Sequence, residues 1–370
     1  GVFGRGDPRS RLVGDAGVAR CEEREAKTVE GEEGLAAEGE RCNYGNLVAI
    51  QLRGEGVWIY TSDGEKYLDL YGGHAVAGTG HSHPHVVAAI SAQAERLLFY
   101  SNLVYSEARA RAAEKLVSIA PADLTKAFFC NSGTEANENA MRIARMASGR
   151  ENIITFSGGF HGRTADSISA TFLGKYREIG KPNVPGHLEA EFGNIESVRA
   201  LGNEDVAAIM LEPIQGESGI NPVSAQFLKT VRSICDDHGL LLMFDEIQCG
   251  LGRTGDWCGW KSIAGDDVVP DAVSWAKGIA GGFPLGAVWV RDKKISMRAG
   301  GEISLADLLG PGSHGTTFGG TPLGCAVANE VLDVIEQVVD WSRDAPILVV
   351  CLARDELREE HPDFLSGREN

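Results

Sequence analysis

The alternation of apolar and polar positions changes character along the chain. Residues 1–40 show little periodicity, and 21–40 are mostly charge, Ala and Gly. This composition predicts a poorly ordered extension. From about Gly45 short apolar stretches at 47–52, 57–60 and 67–70 read as strands, with turns at 53–56 and 62–64. Helical spacing follows at 85–98 and 106–119. A regular alternation then begins: a strand at 126–130, a helix at about 134–147 and a strand at 152–156. Residues 206–211 (VAAIML) and 240–244 (LLLMF) are almost continuously apolar, as strands covered on both faces are. A helix at 225–238 separates them, and further strands at 272–275 and 286–290 precede a helix starting near Pro322. The order predicts an α/β fold with a mostly parallel sheet and flanking helices. Ligands of such sheets sit at the carboxyl ends of the strands.

The bulk properties narrow the function. The 370 residues carry a net charge of −17, which argues against nucleic-acid binding. No apolar run is long enough to predict a transmembrane helix, and no signal peptide is visible. Eight Cys without a CxxC pair give neither a zinc pattern nor a disulfide framework. Free thiols in the reducing cytoplasm are expected.

Five motifs stand out, four of them at the ends of predicted strands and the fifth before a helix. Asn131-Ser132-Gly133-Thr134-Glu135 opens a helix, where free N–H groups and hydroxyls can take an anion; a capping box explains it equally well. Gly158-Gly159-Phe160-His161-Gly162-Arg163 joins an aromatic ring able to lie on a planar ligand to an Arg able to fork onto a carboxylate, although Gly-rich loops with an exposed Arg are common. Asp245-Glu246-Ile247-Gln248 follows a buried strand. An acid there needs a partner, whether a protonated pyridine nitrogen, a metal or a helix N-terminus. Lys277, before Gly278 and Gly281-Gly282-Phe283-Pro284, ends another strand, where burial would lower its pKa and make it nucleophilic. His314-Gly315-Thr316-Thr317-Phe318-Gly319-Gly320 offers hydroxyls and N–H groups before a helix. Together these supply a phosphate cradle, an aromatic platform, an acid for a ring nitrogen and an imine-forming lysine, the parts that a pyridoxal-phosphate (PLP) site needs.

With these residues in this order, the chain resembles the class III aminotransferases of PLP fold type I, most closely the N-acetylornithine aminotransferase group, from about Tyr44 to about Leu365. Tyr67-Leu68-Asp69-Leu70-Tyr71-Gly72-Gly73-His74, Gly80-His81-Ser82-His83-Pro84 and Phe99-Tyr100-Ser101-Asn102 belong to the resemblance. His81, His83 and His85 are then part of a family loop, and no metal is expected. The resemblance implies that Ser132, Gly133 and Thr134 hold the cofactor phosphate. It further implies that Phe160 stacks on the ring beside His161, that Asp245 pairs with the ring nitrogen, and that Ile247 covers the other face with Gln248 near the ring hydroxyl. Lys277 would form the imine and then move the proton. Thr317 would reach the phosphate of a neighbouring subunit, making a homodimer. Arg163 would grip the substrate carboxylate, Glu217 would neutralise a second Arg, and Asn102 would line the substrate side.

The implied reaction moves the terminal amino group of N-acetyl-L-ornithine to 2-oxoglutarate, giving N-acetylglutamate semialdehyde and glutamate in cytoplasmic arginine biosynthesis. Succinylornithine, carrier-bound lysine, ornithine and 4-aminobutyrate are alternative donors. A PLP mutase or racemase, or a chain that binds PLP without turnover, are alternative fates of the same fold. The implied organisation is an extension at 1–40, an N-terminal segment of the small domain at 41–80, the large PLP-binding domain at 81–318, and a linking helix with the start of a truncated second domain at 319–370. Thr321 and Gly324 depart from the family, which more often has Asn and Ala there.

Overall fold

The computed structural model describes residues 51–342, except 63, 122 and 297–300. The expected extension at 1–40, the part of the expected 319–370 segment beyond residue 342, and Cys21, Cys42 and Cys351 lie outside the described residues. Two compact units are present, one holding described residues up to Leu70 with Gly80–His83, the other Tyr71–Thr79 and the chain from Pro84 onward.

The first unit is a three-stranded antiparallel sheet, β1 (Gln51–Glu55), β2 (Trp58–Thr61) and β3 (Lys66–Leu68). The turn expected at 53–56 falls later, at Gly56 and Val57. Arg53–Glu55 stay paired with β2 because Arg53 faces Tyr60 across the strands and lays its guanidinium 3.7 Å from the ring centroid. Asp69 closes the unit by a 2.6 Å bond to His81 Nε2. Among the described residues no group of three His, Cys, Asp or Glu could hold a metal ion.

The second unit is built on a seven-stranded sheet. Its strands are β4 (Leu124–Cys130), β5 (Asn152–Phe156), β6 (His187–Ala190), β7 (Val206–Leu211), β10 (Leu241–Asp245), β11 (Ala272–Trp275) and β12 (Gly286–Arg291). The two-residue strands β8 (Ile214–Gln215) and β9 (Asn221–Pro222) form a separate hairpin, as do β13 (Lys294–Ser296) and β14 (Glu302–Ser304). The order across the main sheet is β4-β12-β11-β10-β7-β5-β6, and β12 alone runs antiparallel to its neighbours. Every residue of β7, β10 and β11 is buried, which accounts for a sequence that is apolar except at Ser274 and the terminal Asp245. The edge strand β6 (HLEA) was not legible in the sequence. It is short, half polar and needs a partner on one side only.

Helices α1 (Pro84–Arg96), α2 (Glu107–Ser118), α3 (Gly133–Ser148), α4 (Ala165–Ala170), α5 (Gly174–Ile179), α6 (Ile195–Leu201), α7 (Ala225–His238), α8 (Gly259–Ala264) and α9 (Pro322–Ser342) flank this sheet. The short helices α4, α5, α6 and α8 span less than two turns and leave too little periodicity to find in the sequence. Helix α3 buries Ala136, Asn137, Ala140, Met141, Ile143 and Ala144 along one face. Ser132 Oγ caps its start by accepting from Glu135 N, and Gly149 ends it in the left-handed conformation at φ 67°. The cysteines at 130, 235, 249, 258 and 325 are buried free thiols, and burial pushes Cys130, Cys235 and Cys325 up to about 12. No described helix is long and apolar enough to cross a membrane.

One polar cluster fastens α4 to α3 and β6. Asp166 accepts two bonds from Arg145, at 2.6 and 3.2 Å, and one at 2.7 Å from His187 Nε2. Burial alone would raise the Asp166 carboxyl, but these bonds outweigh it and hold it at about 2. A carboxyl held low stabilises the fold fully above the unfolded value near pH 4 and loses that contribution as pH falls towards 2. The group is part-exposed, so after solvent screening the effect is on the order of 1 kcal/mol. Asp166→Asn should therefore lower the denaturation midpoint at pH 7, with the difference from the unsubstituted chain closing between about pH 4 and 2. Denaturant titrations across that range test this; a gap that stays constant counts against it.

Candidate active site

The carboxyl ends of β4, β5, β7, β10 and β11 face one cleft of about 400 Å³. Each strand delivers a functional segment at the point where its backbone pairing ends. Ser132, Gly133 and Thr134 follow β4. Phe160, His161 and Arg163 follow β5, Glu212 and Glu217 follow β7, Asp245 to Gln248 close β10, and Lys277 follows β11. All eleven of these residues that the sequence singled out line the cleft together. Asn102 and Thr317 do not. Asn102 donates its amide to the carbonyls of Thr316 and Gly319, tying down that loop, and Thr317 is exposed on it.

Asp245 is 4% exposed. Its Oδ2 accepts from Asn137 Nδ2 at 2.7 Å and meets His161 Nδ1 at 2.9 Å, while Oδ1 accepts from Ile247 N at 3.1 Å. Burial of His161 opposes its charge, but the bond to Asp245, the Asp245 charge and that of Glu212 outweigh this, and the net shift is upward. The pair thus places a fixed negative group at the cleft floor, backed by an imidazole that favours its proton. His161 Nε2 is buried without a protein partner.

The adjacent acid has another job. Both Glu246 oxygens accept backbone N–H groups, from Gly259 and Trp260, each at 2.8 Å, at the start of α8. Burial pushes Glu246 up to about 8. Of the three sequence readings for Asp245-Glu246, the helix cap is taken by Glu246, while Asp245 lines the cleft.

Glu212 was not picked out as a site residue. Its Oε1 accepts from Phe160 N at 2.9 Å and its Oε2 from Gly216 N at 3.3 Å, joining the two loops that present Phe160 and Glu217. Burial, then the Asp245 charge, push it up to about 7. The available signal was an acid directly after a buried strand, the same argument that picked out Asp245.

Lys277 sits in the left-handed region at φ 48°, where a side chain other than Gly carries strain. Its amine forms no hydrogen bond or ion pair among the described residues. Burial lowers its pKa, only partly opposed by the charges of Asp245, Glu212 and Glu217. A larger neutral fraction makes the amine a better nucleophile near neutral pH.

Gly133 and Thr134 occupy the first two positions of the sixteen-residue helix α3, whose leading N–H groups have no intrahelical acceptor. A Cβ on Gly133 would come within 2.7 Å of Ile247 Cδ1, so Gly is what lets Ile247 lie against the helix start. Ile247 and Phe160 provide apolar surfaces in the cleft. An anion cradle, two apolar surfaces, a buried carboxylate and an unpartnered, lowered-pKa amine fit a phosphorylated aromatic aldehyde.

The family model for class III aminotransferases matches residues 41–361. The chain belongs to that family and is a pyridoxal-phosphate-dependent aminotransferase of the α/β fold that its sheet defines. Among curated relatives, the acetylornithine aminotransferase of Methanopyrus kandleri is 43% identical over 295 residues, covering 80% of this chain and 72% of the relative. The solved ornithine aminotransferase of Toxoplasma gondii superposes with a TM-score of 0.75 at 30% identity, covering 85% of this chain and 74% of that one. The taurine:2-oxoglutarate aminotransferase of Bifidobacterium kashiwanohense, solved with PLP and glutamate, gives 0.74 at 28% identity, covering 84% and 73%.

Proposed function

We propose that this chain transfers the terminal amino group of N-acetyl-L-ornithine to 2-oxoglutarate, giving N-acetylglutamate semialdehyde and glutamate. The observation that carries the chemistry is the unpaired Lys277 amine, its pKa lowered by burial, in the same cleft as the buried Asp245 carboxylate. The choice of donor is supported by relatives that bear the acetylornithine aminotransferase name at 41–44% identity.

In this reading Gly133 and Thr134, with Ser132, hold the PLP phosphate at the start of α3. Phe160 and Ile247 would enclose the ring, Asp245 backed by His161 would pair with its nitrogen, and Gln248 would serve its hydroxyl. Bound there, PLP supplies an electron sink for the carbon that carries the donor's amine. Lys277 anchors the cofactor covalently. With the cofactor bound, the Lys277 amine would be the group that takes a proton from the donor carbon and returns one, serving as both base and acid. Arg163 binds the donor carboxylate through its planar fork. Glu217 supplies the negative charge that offsets a second cation when the long donor is bound. Thr317 acts on the cofactor phosphate of a partner subunit, in a cytoplasmic homodimer serving arginine biosynthesis.

The deciding experiment is the visible spectrum of the purified chain with PLP, before and after N-acetylornithine is added without acceptor. The band of lysine-bound cofactor should form and then bleach. A band that survives N-acetylornithine but is bleached by ornithine or 4-aminobutyrate would reassign the donor; a band that survives every terminal amine would sink the reading. For Arg163→Ala, the band should be retained and the donor KM should rise by about tenfold or more, as expected for loss of a charge-assisted fork. An unchanged KM would remove Arg163 from this role.

A further inference from the structure

Three residues of the cleft wall share a neighbour that stands behind them. Tyr176, on the short helix α5, presents its ring face to Arg163, with the guanidinium carbon 3.9 Å from the ring centroid. Its ring also meets Phe160 at a centroid distance of 5.8 Å and an interplanar angle of 75°. Its hydroxyl donates to Glu217 Oε1 at 3.0 Å. The helix is well placed to hold the ring still. Arg177, the next residue, donates to the Ser169 carbonyl and lies 4.1 Å from the Phe172 ring centroid.

Arg163 and Glu217 carry opposite charges and line the same cleft, yet among the described residues neither takes part in an ion pair. Each instead meets a different part of one tyrosine, the cation over the electron-rich ring face and the carboxylate at the hydroxyl. A direct Arg163–Glu217 pair would use the forked donors that a substrate carboxylate needs. We propose that Tyr176 is a positioning residue that holds Arg163 and Glu217 apart in the free site, keeping the Arg163 fork open for the substrate carboxylate. This rests on the aminotransferase reading of the cleft and adds the device that keeps its carboxylate-binding group available.

The test uses the PLP-loaded chain with Tyr176→Phe, Tyr176→Ala and the double variant Tyr176→Ala with Glu217→Gln. The probe is N-acetyl-L-norvaline, a donor analogue that keeps the carboxylate and lacks the terminal amine, measured as a competitive inhibitor. Tyr176→Phe retains the stacked ring but frees Glu217, so the donor KM should rise by about threefold with kcat nearly unchanged. Tyr176→Ala lets Arg163 and Glu217 pair, and probe inhibition should weaken by about tenfold while the cofactor band persists. In the double variant the competing carboxylate is gone, and probe inhibition should recover most of that loss. A role in packing alone predicts no recovery, so a double variant as weak as Tyr176→Ala overturns the proposal. If Tyr176→Ala does not fold, Tyr176→Phe carries the test, and an unchanged donor KM overturns it. A wild-type chain that neither transaminates nor binds the probe overturns the functional reading and this proposal with it. A competent wild type with Tyr176 variants indistinguishable from it overturns this proposal alone.

Discussion

Lys277→Ala is expected to lose the visible band of bound PLP and to turn over at least about a thousandfold more slowly, since it removes both the covalent anchor and the group that moves the proton. The fold should survive. The amine is part-buried without a hydrogen-bond partner among the described residues, so its removal breaks no hydrogen bond and relieves a desolvation cost. The denaturation midpoint of the variant should therefore match or exceed that of the wild type, separating loss of chemistry from loss of structure. Steady-state assay, spectrum and denaturation of the same preparation provide the check. Transamination retained at more than a few per cent would refute the assignment.

Asp245→Asn is expected to give the second largest effect, a fall in kcat of about 10²–10³, the range seen when a preorganised electrostatic group is removed. Asn keeps the size of the side chain, and its one carbonyl oxygen can still accept from Ile247 N, so the β10 terminus should hold while the bond accepted from Asn137 is given up. What disappears is the negative charge at the cleft floor. The largest influence raising the His161 pKa is its bond to Asp245, followed by that charge, so the imidazole should lose its preference for a proton in the variant. The Lys277 amine should shift further down, because Asp245 is the first of the charges that oppose its desolvation. The rate at which the cofactor band forms when PLP is added, followed against pH, reads that shift. A variant within about threefold of wild-type kcat would show that this carboxylate does not set the electronics of the site.

Much of the architecture could be read from local pattern. The unbroken apolar runs in β7 and β10 required cover on both faces, and only a sheet with helices on either side provides it. The periodicity of α3 and α7 was visible because each is long enough to bury a full stripe, and each carries its own Ser cap and terminal Gly. The site residues were legible for a related reason. Strand ends are marked by abrupt changes from apolar to polar or Gly, and in a parallel sheet those ends converge.

Other features depended on partners distant in the chain. Nothing local said that β12 would insert antiparallel between β4 and β11, since strand order is settled by which buried faces pair. The sequence Asp245-Glu246 could not show which acid faces the cleft and which caps α8, because that depends on where Gly259 and Trp260 arrive. What Glu212 and Tyr176 bond to was settled only when the loops after β5 and β7 were brought side by side. The sequence by itself determined the chemistry available and the strand ends that carry it, because burial and capping are written in local spacing. Only the tertiary structure decided which charges meet, which stay apart and which amine is left without a partner, because those outcomes depend on distances between segments far apart in the chain.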